Sequence, residues 1–507
     1  MKLLNFYIGE YRVLRDVDIV FDTAETEAPY SLNFLVGVNG TGKSTVLRAL
    51  VDVLLQLDAD RQVSFPFALE YTMKLGGVPA RISWSNLPEP DAGGQVGQTR
   101  PLRILVDGHE DSPRAELLPP RVIVFTTGSE VEWQLLTERE ASQFGSRSTL
   151  PEGMTPEEQM FREVPGVSPS RSSSEGNPRE RSRFQLIRTK RLPLVSLCGM
   201  LADLADGGPV KRRRLQGVLD AVRMEDLQGF SLRFRLLTGL TREEDMEFVR
   251  TLARRSTRAV RQGSERLLVF DLGVDPQTTA RGLLDLPGQP PGALELFRSL
   301  NRLMDPVEGE DAVLTEVNLF LSRQPSSEDD GGARPPLLLF DELSDGERSF
   351  LGRMALFPLL GHMEGLILLD EPEVHFNDSW KRRIGSLLNA VLAEQDSHVL
   401  MATHSSITLT DVPREDVVVF ERKGRYTRFA HPPSFKTLAS DPSDVLVHVF
   451  EAPYASGERG IQRVNEAIRR YLENPTEENT KQLRVLQGQV GPGYWSYRLR
   501  SVLPRES

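Results

Sequence analysis

Apolar and polar positions divide the chain into short strands and amphipathic helices joined by glycine-rich turns. Leu3 to Ile8 and Val17 to Phe21 alternate between apolar and polar residues, and this period predicts a β-hairpin. The largely apolar run Leu32 to Val36 predicts a buried strand, and the amphipathic run Ser44 to Leu57 predicts the helix after it. A strand therefore leads into a helix through a glycine-rich loop.

The same two periods predict the remaining elements. Strands are predicted at Phe67 to Met73, Arg81 to Trp84, Arg103 to Val106, Arg121 to Phe125, Ser231 to Leu237, Leu267 to Leu272, Leu337 to Phe340, Leu366 to Leu369 and His398 to Ala402. Helices are predicted at Leu192 to Leu204, Val210 to Met224, Arg242 to Gln262, Pro291 to Met304, Arg348 to His362, Pro442 to Phe450, Ser456 to Asn474, Thr476 to Val490 and after Trp495.

The loop between the first buried strand and its helix, GVNGTGKS, matches a phosphate-binding pattern. Its glycines let the backbone approach phosphates closely, and N–H groups at the helix N-terminus face the anion. Lys43 supplies a charged donor for the terminal phosphates, and the Ser44 hydroxyl is placed to bind Mg²⁺. The predicted nucleotide-binding residues are Gly37, Asn39, Gly40, Thr41, Gly42, Lys43, Ser44 and Thr45. The loop predicts binding of a nucleoside triphosphate.

Two carboxylates follow a later apolar strand. The run Leu366 to Leu369 ends at Asp370 and Glu371. Asp370 is predicted to hold Mg²⁺ directly or through water, and Glu371, closer to the attacking water, is predicted to act as the base. The plain alternative is an acidic turn after a buried strand, which a phosphate loop in the same chain disfavours.

Two further motifs complete the candidate site. His404 follows an apolar strand, where it can contact the γ-phosphate or orient the attacking water, although a histidine at a strand end is usually structural. Ser344 and Gly346 open a helix whose N-terminus can bind an anion, and alone they would be an ordinary cap. The predicted catalytic residues are Glu371, His404 and Lys43, and the predicted metal ligands are Ser44 and Asp370.

The composition changes in the middle of the chain. Residues 138–188 are rich in Ser, Pro, Gly, Arg and Glu, which predicts a disordered segment, and 325–336 read as an acidic linker. We therefore interpret residues 131–334 as a large α-rich insertion. It separates two halves of one nucleotide-binding domain, residues 1–130 and 335–430, which a helical region at 431–507 follows.

Composition limits the remaining possibilities. The 507 residues are 39% hydrophobic and 26% charged, as expected for a globular protein. The single cysteine, Cys198, excludes a disulfide within this sequence and favours a reducing, cytoplasmic location, and neither a signal peptide nor a membrane span is predicted. A net charge of −11 argues against general nucleic-acid binding. Nucleic-acid contact remains a minority interpretation of the local basic runs, which are 179–191, 211–214 and 254–261.

The order of these motifs resembles that of ABC-type ATPase heads. Walker A is Gly37 to Ser44, the signature is Leu343 to Glu347, Walker B is Leu366 to Glu371, and His404 is the switch histidine. The resemblance covers residues 1–130 and 335–430, slightly under half of the chain. The N-terminal hairpin, the Asp-Gly-Glu signature and the Asp-Glu-Pro-Glu-Val-His-Phe-Asn run are similar to the SMC/RecF/OLD branch and not to transporter subunits.

This resemblance implies an α/β fold, a P-loop head whose mixed sheet has an N-terminal antiparallel hairpin and a parallel core. It also implies Mg²⁺-dependent ATP hydrolysis in a homodimer or higher homo-oligomer, in which Ser344 and Gly346 contact the nucleotide held by the partner head. Arg12 matches an arginine that often reaches the nucleotide in this branch. The aspartate usual after Walker B is replaced by Asn377, with Asp378 beside it. Candidates for the Q-loop glutamine are Gln134, Gln95 and Gln98.

The biological role has two main interpretations. The middle of the chain lacks the long heptads of SMC-type proteins, and no Asp-x-Asp cluster like that of OLD-type nucleases follows His404. What remains resembles the ATPase subunits of Septu-, PARIS- and retron-type anti-phage systems, which implies control of a separate effector nuclease. The alternative is a RecF-like repair ATPase stimulated by DNA. A third possibility, an assembly protein that hardly hydrolyses ATP, is disfavoured by Glu371 and His404.

Overall fold

The computed structural model describes residues 1–21, 30–87, 101–127, 131–133, 183–207, 213–236, 242–273, 275–305, 312–324, 337–361, 364–393, 396–453 and 456–503. Most of the predicted disordered segment, all three candidate Q-loop glutamines and the whole linker at 325–336 lie outside these ranges.

Eighteen strands are found in the described ranges. They are β1 (Lys2–Tyr11), β2 (Leu14–Val20), β3 (Ser31–Val36), β4 (Phe67–Leu75), β5 (Val78–Ser85), β6 (Arg103–Val106), β7 (His109–Glu110), β8 (Val122–Thr126), β9 (Phe184–Ile187), β10 (Met224–Arg235), β11 (Arg258–Gln262), β12 (Glu265–Asp271), β13 (Leu314–Arg323), β14 (Leu337–Leu339), β15 (Gly365–Asp370), β16 (Ser397–Ala402), β17 (Val417–Lys423) and β18 (Tyr426–His431).

The α-helices of the described ranges follow in the same order. They are α1 (Lys43–Asp58), α2 (Leu192–Asp206), α3 (Gln216–Ala221), α4 (Glu243–Arg255), α5 (Pro276–Leu284), α6 (Ala293–Leu303), α7 (Asp345–Met354), α8 (Leu356–Leu360), α9 (Asp378–Lys381), α10 (Ile384–Leu392), α11 (Ser406–Leu409), α12 (Pro442–His448), α13 (Glu458–Glu473), α14 (Glu477–Gln489) and α15 (Tyr494–Val502).

A thirteen-stranded mixed sheet organises the protein, with the order β7-β6-β5-β4-β1-β2-β18-β17-β3-β16-β15-β8-β9. Strands β17, β3, β16, β15, β8 and β9 run parallel to their neighbours in that order, and the β1–β2 hairpin belongs to the antiparallel half. This architecture confirms the predicted α/β class with an N-terminal antiparallel hairpin and a parallel core. The carboxyl ends of the parallel strands meet at one edge, where ligands of such sheets bind.

Both faces of the parallel core are buried, which explains why its strands are apolar without alternation. On β15, Ile367 and Leu369 face one core and Leu366 and Leu368 face the other. Helix α1 covers the second face, and helices α2, α7, α8 and α10 cover the first. The parallel strands therefore form the middle of three layers, so the residues at their ends are held by packing on both sides.

The middle of the chain contains a second sheet beside the predicted helices. Its five antiparallel strands have the order β11-β12-β10-β13-β14, and its apolar face shares one continuous core with the head. Helix α2 joins the two units closely, because a Cβ at Gly199 would collide with the carbonyl of Ala355 beside α7. Strand β14 belongs to this sheet although it lies beyond residue 334.

The last three helices form a small unit with a core of its own. Val464, Ile468, Leu483, Leu486 and Leu499 are buried against one another between α13, α14 and α15. This grouping follows from the amphipathic period of α13, whose buried positions recur every three or four residues.

Three sequence predictions about element bounds are wrong. The helix predicted at Arg242 to Gln262 ends at Arg255, and Arg258–Gln262 form the edge strand β11. The helix predicted at Val210 to Met224 is limited to α3, because Met224 begins β10. The predicted disordered segment also extends too far, since Phe184–Ile187 pair with β8 as β9.

Candidate nucleotide-binding site

The loop between β3 and α1 adopts a conformation that only glycine accepts at three positions. The φ angles of Gly37, Gly40 and Gly42 are 148°, 82° and 89°. A Cβ at Gly37 would lie 2.8 Å from Thr41 Oγ1, so a larger residue is also excluded by space. Gly42 is the N-cap of α1, so the helix N-terminus opens directly from the loop.

Hydrogen bonds and packing contacts hold this loop in place against neighbouring strands. The Thr41 hydroxyl donates to the carbonyl of Val38 at 2.9 Å, inside the loop. The buried Thr427 hydroxyl, on β18, donates to the carbonyl of Thr41 at 2.7 Å. A Cβ at Gly42 would lie 2.9 Å from Leu14 Cδ2, so the β1–β2 hairpin also packs against the loop. The backbone of the loop is therefore preorganised.

Lys43 lies under the loop. Its side chain is buried, and Nζ donates to the carbonyl of Gly37 at 2.9 Å. Burial lowers the pKa of Lys43, while the nearby carboxylates of Glu371, Asp370 and Glu373 oppose this effect. An ammonium group held among carboxylates at a glycine-rich loop is suited to bind the terminal phosphates of a nucleotide.

Ser44 meets Asp370 across the edge of the sheet. The Ser44 hydroxyl donates to Asp370 Oδ1 at 2.7 Å, because α1 and β15 both begin or end at this edge. Asp370 is buried, and burial raises its pKa, while the Ser44 hydrogen bond and the charges of Arg48 and Lys43 oppose the rise. The structure thus brings the two predicted metal ligands together.

This pair fits Mg²⁺. In the described ranges, no group of three or more His, Cys, Asp or Glu residues could hold a metal ion. Mg²⁺ typically needs only one or two protein oxygens, because nucleotide phosphates and water supply the rest of its octahedron. A hydroxyl and a carboxylate oxygen in hydrogen-bond contact provide such a pair.

Glu371 and His404 lie side by side next to this pair. His404 Nδ1 is 3.2 Å from Glu371 Oε1, and their side chains are 48% and 33% exposed. Glu371 has a φ of 53°, which turns the chain sharply after β15, and its N–H donates to the carbonyl of Ala402 at 2.9 Å. The Thr127 hydroxyl binds the Glu371 carbonyl at 3.0 Å. A fixed carboxylate thus remains accessible to water.

The signature residues lie at an exposed helix N-terminus. The Ser344 N–H donates to Glu347 Oε2 at 2.9 Å, and the Glu347 N–H donates to Ser344 Oγ at 3.3 Å, so the two residues form a capping box. A Cβ at Gly346 would lie 3.0 Å from the carbonyl of His375. None of the hydrogen bonds described for Ser344 reaches the phosphate loop of the same chain.

Arg12 lies at the tip of the β1–β2 hairpin. Its guanidinium binds Glu132 at 3.2 Å, and Glu132 also pairs with Arg48 of α1. Asn377 caps the short helix α9 by accepting a hydrogen bond from the Trp380 N–H at 2.9 Å. These contacts locate both residues near the site's elements, and a role in nucleotide binding for Arg12 stays a prediction.

Several residues near the loop were missed from the sequence. Thr427 fixes the loop, and Arg422 lies beside it, since Nη1 of Arg422 would be 3.5 Å from a Cβ at Gly40. Glu373 is buried behind the Walker B strand. For Glu373 a signal was available, because an acidic residue three positions after Asp370 is unexpected in a buried turn. Arg422 and Thr427 carry no motif.

The sheet order and this edge define a P-loop nucleotide-binding head of the ABC type, and the chain is similar to known proteins of that kind. Residues 288–411 match the family described as "AAA domain, putative AbiEii toxin, Type IV TA system". No curated protein matches the chain.

Solved structures of SMC heads also match, at low similarity. The SMC head domain from Thermotoga maritima is 10% identical with a TM-score of 0.37, over 86% of this chain and 100% of that one. An SmcHead bound to the C-winged helix domain of ScpA is 12% identical with a TM-score of 0.33, over 85% and 97%.

The described part of the protein has no helix that is both long enough and apolar enough to span a bilayer.

Proposed function

We propose that this protein binds ATP with Mg²⁺ and hydrolyses it. The observation that carries the proposal is the Ser44–Asp370 hydrogen bond of 2.7 Å, which joins the phosphate loop to the Walker B strand. The Glu371–His404 pair lies directly beyond Asp370 at the same edge. Binding and hydrolytic groups from three separate segments therefore converge at one place, as hydrolysis of a phosphoanhydride requires.

Each residue has a role in in-line attack of water on the γ-phosphate. The loop N–H groups and Lys43 bind the phosphates and neutralise developing charge. Ser44 and Asp370 would hold Mg²⁺, which supplies further charge neutralisation when bound. Glu371 orients the attacking water and accepts its proton at the carboxylate. His404, beside it, contacts the γ-phosphate or holds Glu371 and the attacking water in position.

We further propose that two heads, each built from residues 1–130 and 335–430, close around ATP. Ser344 is exposed, and its helix N-terminus can bind an anion. Its described hydrogen bonds remain within its own capping box, and the resemblance to ABC-type heads supports contact with the phosphate of a second copy of the chain. Closure would exclude bulk water from the half-exposed Glu371 and His404.

The biological role we propose is an ATP-gated sensor and scaffold in bacterial anti-phage defence, which controls a separate effector, a nuclease. The match of residues 288–411 to a family described as a toxin of a toxin–antitoxin system supports a role in defence. The two-headed closure provides a conformational signal that an effector bound to the insertion at 131–334 could read.

Two measurements test this proposal. Purified protein is expected to release phosphate from ATP in the presence of Mg²⁺, and Lys43→Ala is expected to bind no nucleotide. Tagged Glu371→Gln protein, held closed with ATP and Mg²⁺, is then recovered from its host. A stoichiometric nuclease in the eluate is the expected result. DNA without a protein partner, together with DNA-stimulated turnover, would replace the defence role with the RecF-like alternative. Absence of ATP binding would refute the proposal as a whole.

A further inference from the structure

Arg353, near the end of signature helix α7, reaches the turn that carries the catalytic carboxylate. It is buried, and Nη1 donates to the carbonyls of Pro372 and Val374, the second at 2.6 Å. Its guanidinium lies over the rings of Phe125 and Phe376 at 5.4 and 5.1 Å. A buried arginine thus fixes the backbone on both sides of Glu373, two residues beyond Glu371.

Glu373 in turn contacts Thr403, the residue that follows β16. It is 2% exposed, and it accepts a hydrogen bond from the Thr403 hydroxyl. The Thr403 oxygen in turn accepts the N–H of Ser405 at 3.0 Å. Thr403 and Ser405 flank His404, so this bond sets the turn from which His404 reaches Glu371.

We propose that Arg353, Glu373 and Thr403 form a coupling network that ties the signature helix to the His404 turn of the same chain. Seating of Ser344 and Gly346 on a partner's nucleotide would shift α7, and the network would pass that shift to the Glu371–His404 pair. This inference rests on the proposed function, because it assigns a control to the same hydrolytic site. The three residues act as positioning residues, since none of their described hydrogen bonds reaches the phosphate loop.

The network has a second arrangement available to it. In the described ranges, Glu373 Oε2 and the Nε and Nη2 of Arg353 are buried without hydrogen-bond partners. Buried polar atoms without partners cost free energy, so a movement of α7 that joined them would be compensated by a new ion pair. The Arg353 guanidinium can bind either the two backbone carbonyls or the Glu373 carboxylate. These are the two discrete states that coupling between two sites requires.

The test uses the full-length protein and two matched pairs of variants. Thr403→Val removes the hydroxyl with little change of shape, and Thr403→Ser keeps it. Arg353→Met removes the guanidinium, and Arg353→Lys keeps a cation that can reach one carbonyl. Melting temperatures are recorded first to confirm that each variant folds.

The first readout is turnover against nucleotide binding. Thr403→Val is expected to lower kcat about 10-fold, the scale of a positioning defect, while Thr403→Ser stays within about twofold of wild type. Affinity for a fluorescent ATP analogue should not change, because Lys43 and Ser44 are untouched. The double variant Arg353→Met/Thr403→Val should be no slower than the slower single variant. Multiplication of the two defects, or an equal loss of nucleotide affinity, would overturn the network.

The second readout does not depend on hydrolysis. Hydrogen exchange of residues 403–409 is measured in nucleotide-free protein. Arg353→Met should speed this exchange at least about threefold, although Arg353 has no described contact with that segment, and Arg353→Lys should do so less. Unchanged exchange would overturn the inference even if turnover fell.

Failure of the proposed function would give a different pattern of results in these two measurements. In that case the wild-type protein lacks turnover, while the exchange measurement still decides whether the network exists. If Arg353→Met does not fold, Thr403→Val tests the same coupling in the opposite direction, from the His404 turn to α7. It should speed exchange of residues 345–354 in α7, and wild-type exchange there would overturn the network.

Discussion

The hydroxyl of Ser44 lies 2.7 Å from Oδ1 of Asp370, although 326 positions separate the two residues in the sequence. This contact forms because the loop after β3 and the end of β15 lie at the same edge of the parallel core, with only β16 between the two strands. The insertion therefore separates the two halves of the site in sequence without separating them in space.

The Ser44–Asp370 contact predicts how Mg²⁺ contributes to binding. Ser44→Ala should weaken ATP affinity about 10-fold when Mg²⁺ is present, and should leave affinity unchanged in EDTA, because in the proposed mechanism the hydroxyl binds the metal and not the phosphates directly. Isothermal titration with and without Mg²⁺ measures both values. Ser386→Ala, which also removes a serine hydroxyl but lies on α10, is the control. An equal loss in EDTA would show that Ser44 does not act through the metal.

Glu371 predicts a separation of binding from turnover. Glu371→Gln should lower kcat at least about 100-fold while ATP affinity remains near the wild-type value, since the amide keeps the shape and loses the base. His404→Gln should give a smaller loss, about 10-fold. Single-turnover phosphate release and size-exclusion chromatography with ATP are the measurements. Wild-type turnover in Glu371→Gln would reassign the base.

Arg422 predicts a contribution to nucleotide binding that no motif indicated. Its guanidinium lies beside Gly40, so Arg422→Ala should weaken ATP affinity about fivefold, a loss typical of one exposed charge–phosphate contact. Arg428→Ala, an exposed arginine on the same hairpin, should bind ATP normally. If both variants lost affinity equally, the effect would come from the overall charge of the hairpin.

His398 predicts an acid limit to stability. Burial lowers its pKa to about 3, helped by the charges of the Met1 amino group and Lys2, and Nδ1 accepts the Leu3 N–H at 2.8 Å. In the unfolded chain this histidine binds a proton near pH 6.5, whereas in the folded protein it stays neutral down to about pH 3. The free energy of unfolding therefore falls as the pH drops through this window. The loss is about 1.4 kcal/mol for each pH unit.

A variant that cannot titrate at position 398 isolates the contribution of this histidine to the pH dependence of stability. His398→Asn can keep an acceptor for the Leu3 N–H but does not titrate, so it should be less stable than wild type at pH 7.5 and lose less stability toward pH 4.5. Melting temperatures at several pH values provide the comparison. Parallel curves for the two proteins would show that His398 binds its proton at the same pH in the folded and unfolded states.

Motifs at strand ends could be placed from the sequence because the physics of a parallel core leaves few choices. Lys43, Asp370 and His404 each follow an apolar run, and the carboxyl ends of adjacent parallel strands meet at one edge. The distance between Glu371 and His404 follows from that register. A buried strand and a phosphate loop together therefore determine most of the candidate site.

Contacts set by tertiary packing could not be read in this way. Thr427 reaches Thr41 because β18 lies in the sheet beside β2, and nothing in its own segment indicates this neighbour. Strand β11 was predicted as helix because all five of its residues are exposed, so no buried face gives it a period of two. Helix α4 instead ends before Ser256 and Thr257, which favour turns.

Strand β14 connects the second sheet to the N-terminus of helix α7. Leu337–Leu339 pair with β13 as the last strand of that sheet, and only a single short turn, Phe340–Glu342, and Leu343 stand between it and Ser344. A turn this short cannot absorb much displacement, so tilting the second sheet must also carry the N-terminus of α7 with it. In the described part of the chain, β11 is the edge strand at the opposite end of the same sheet.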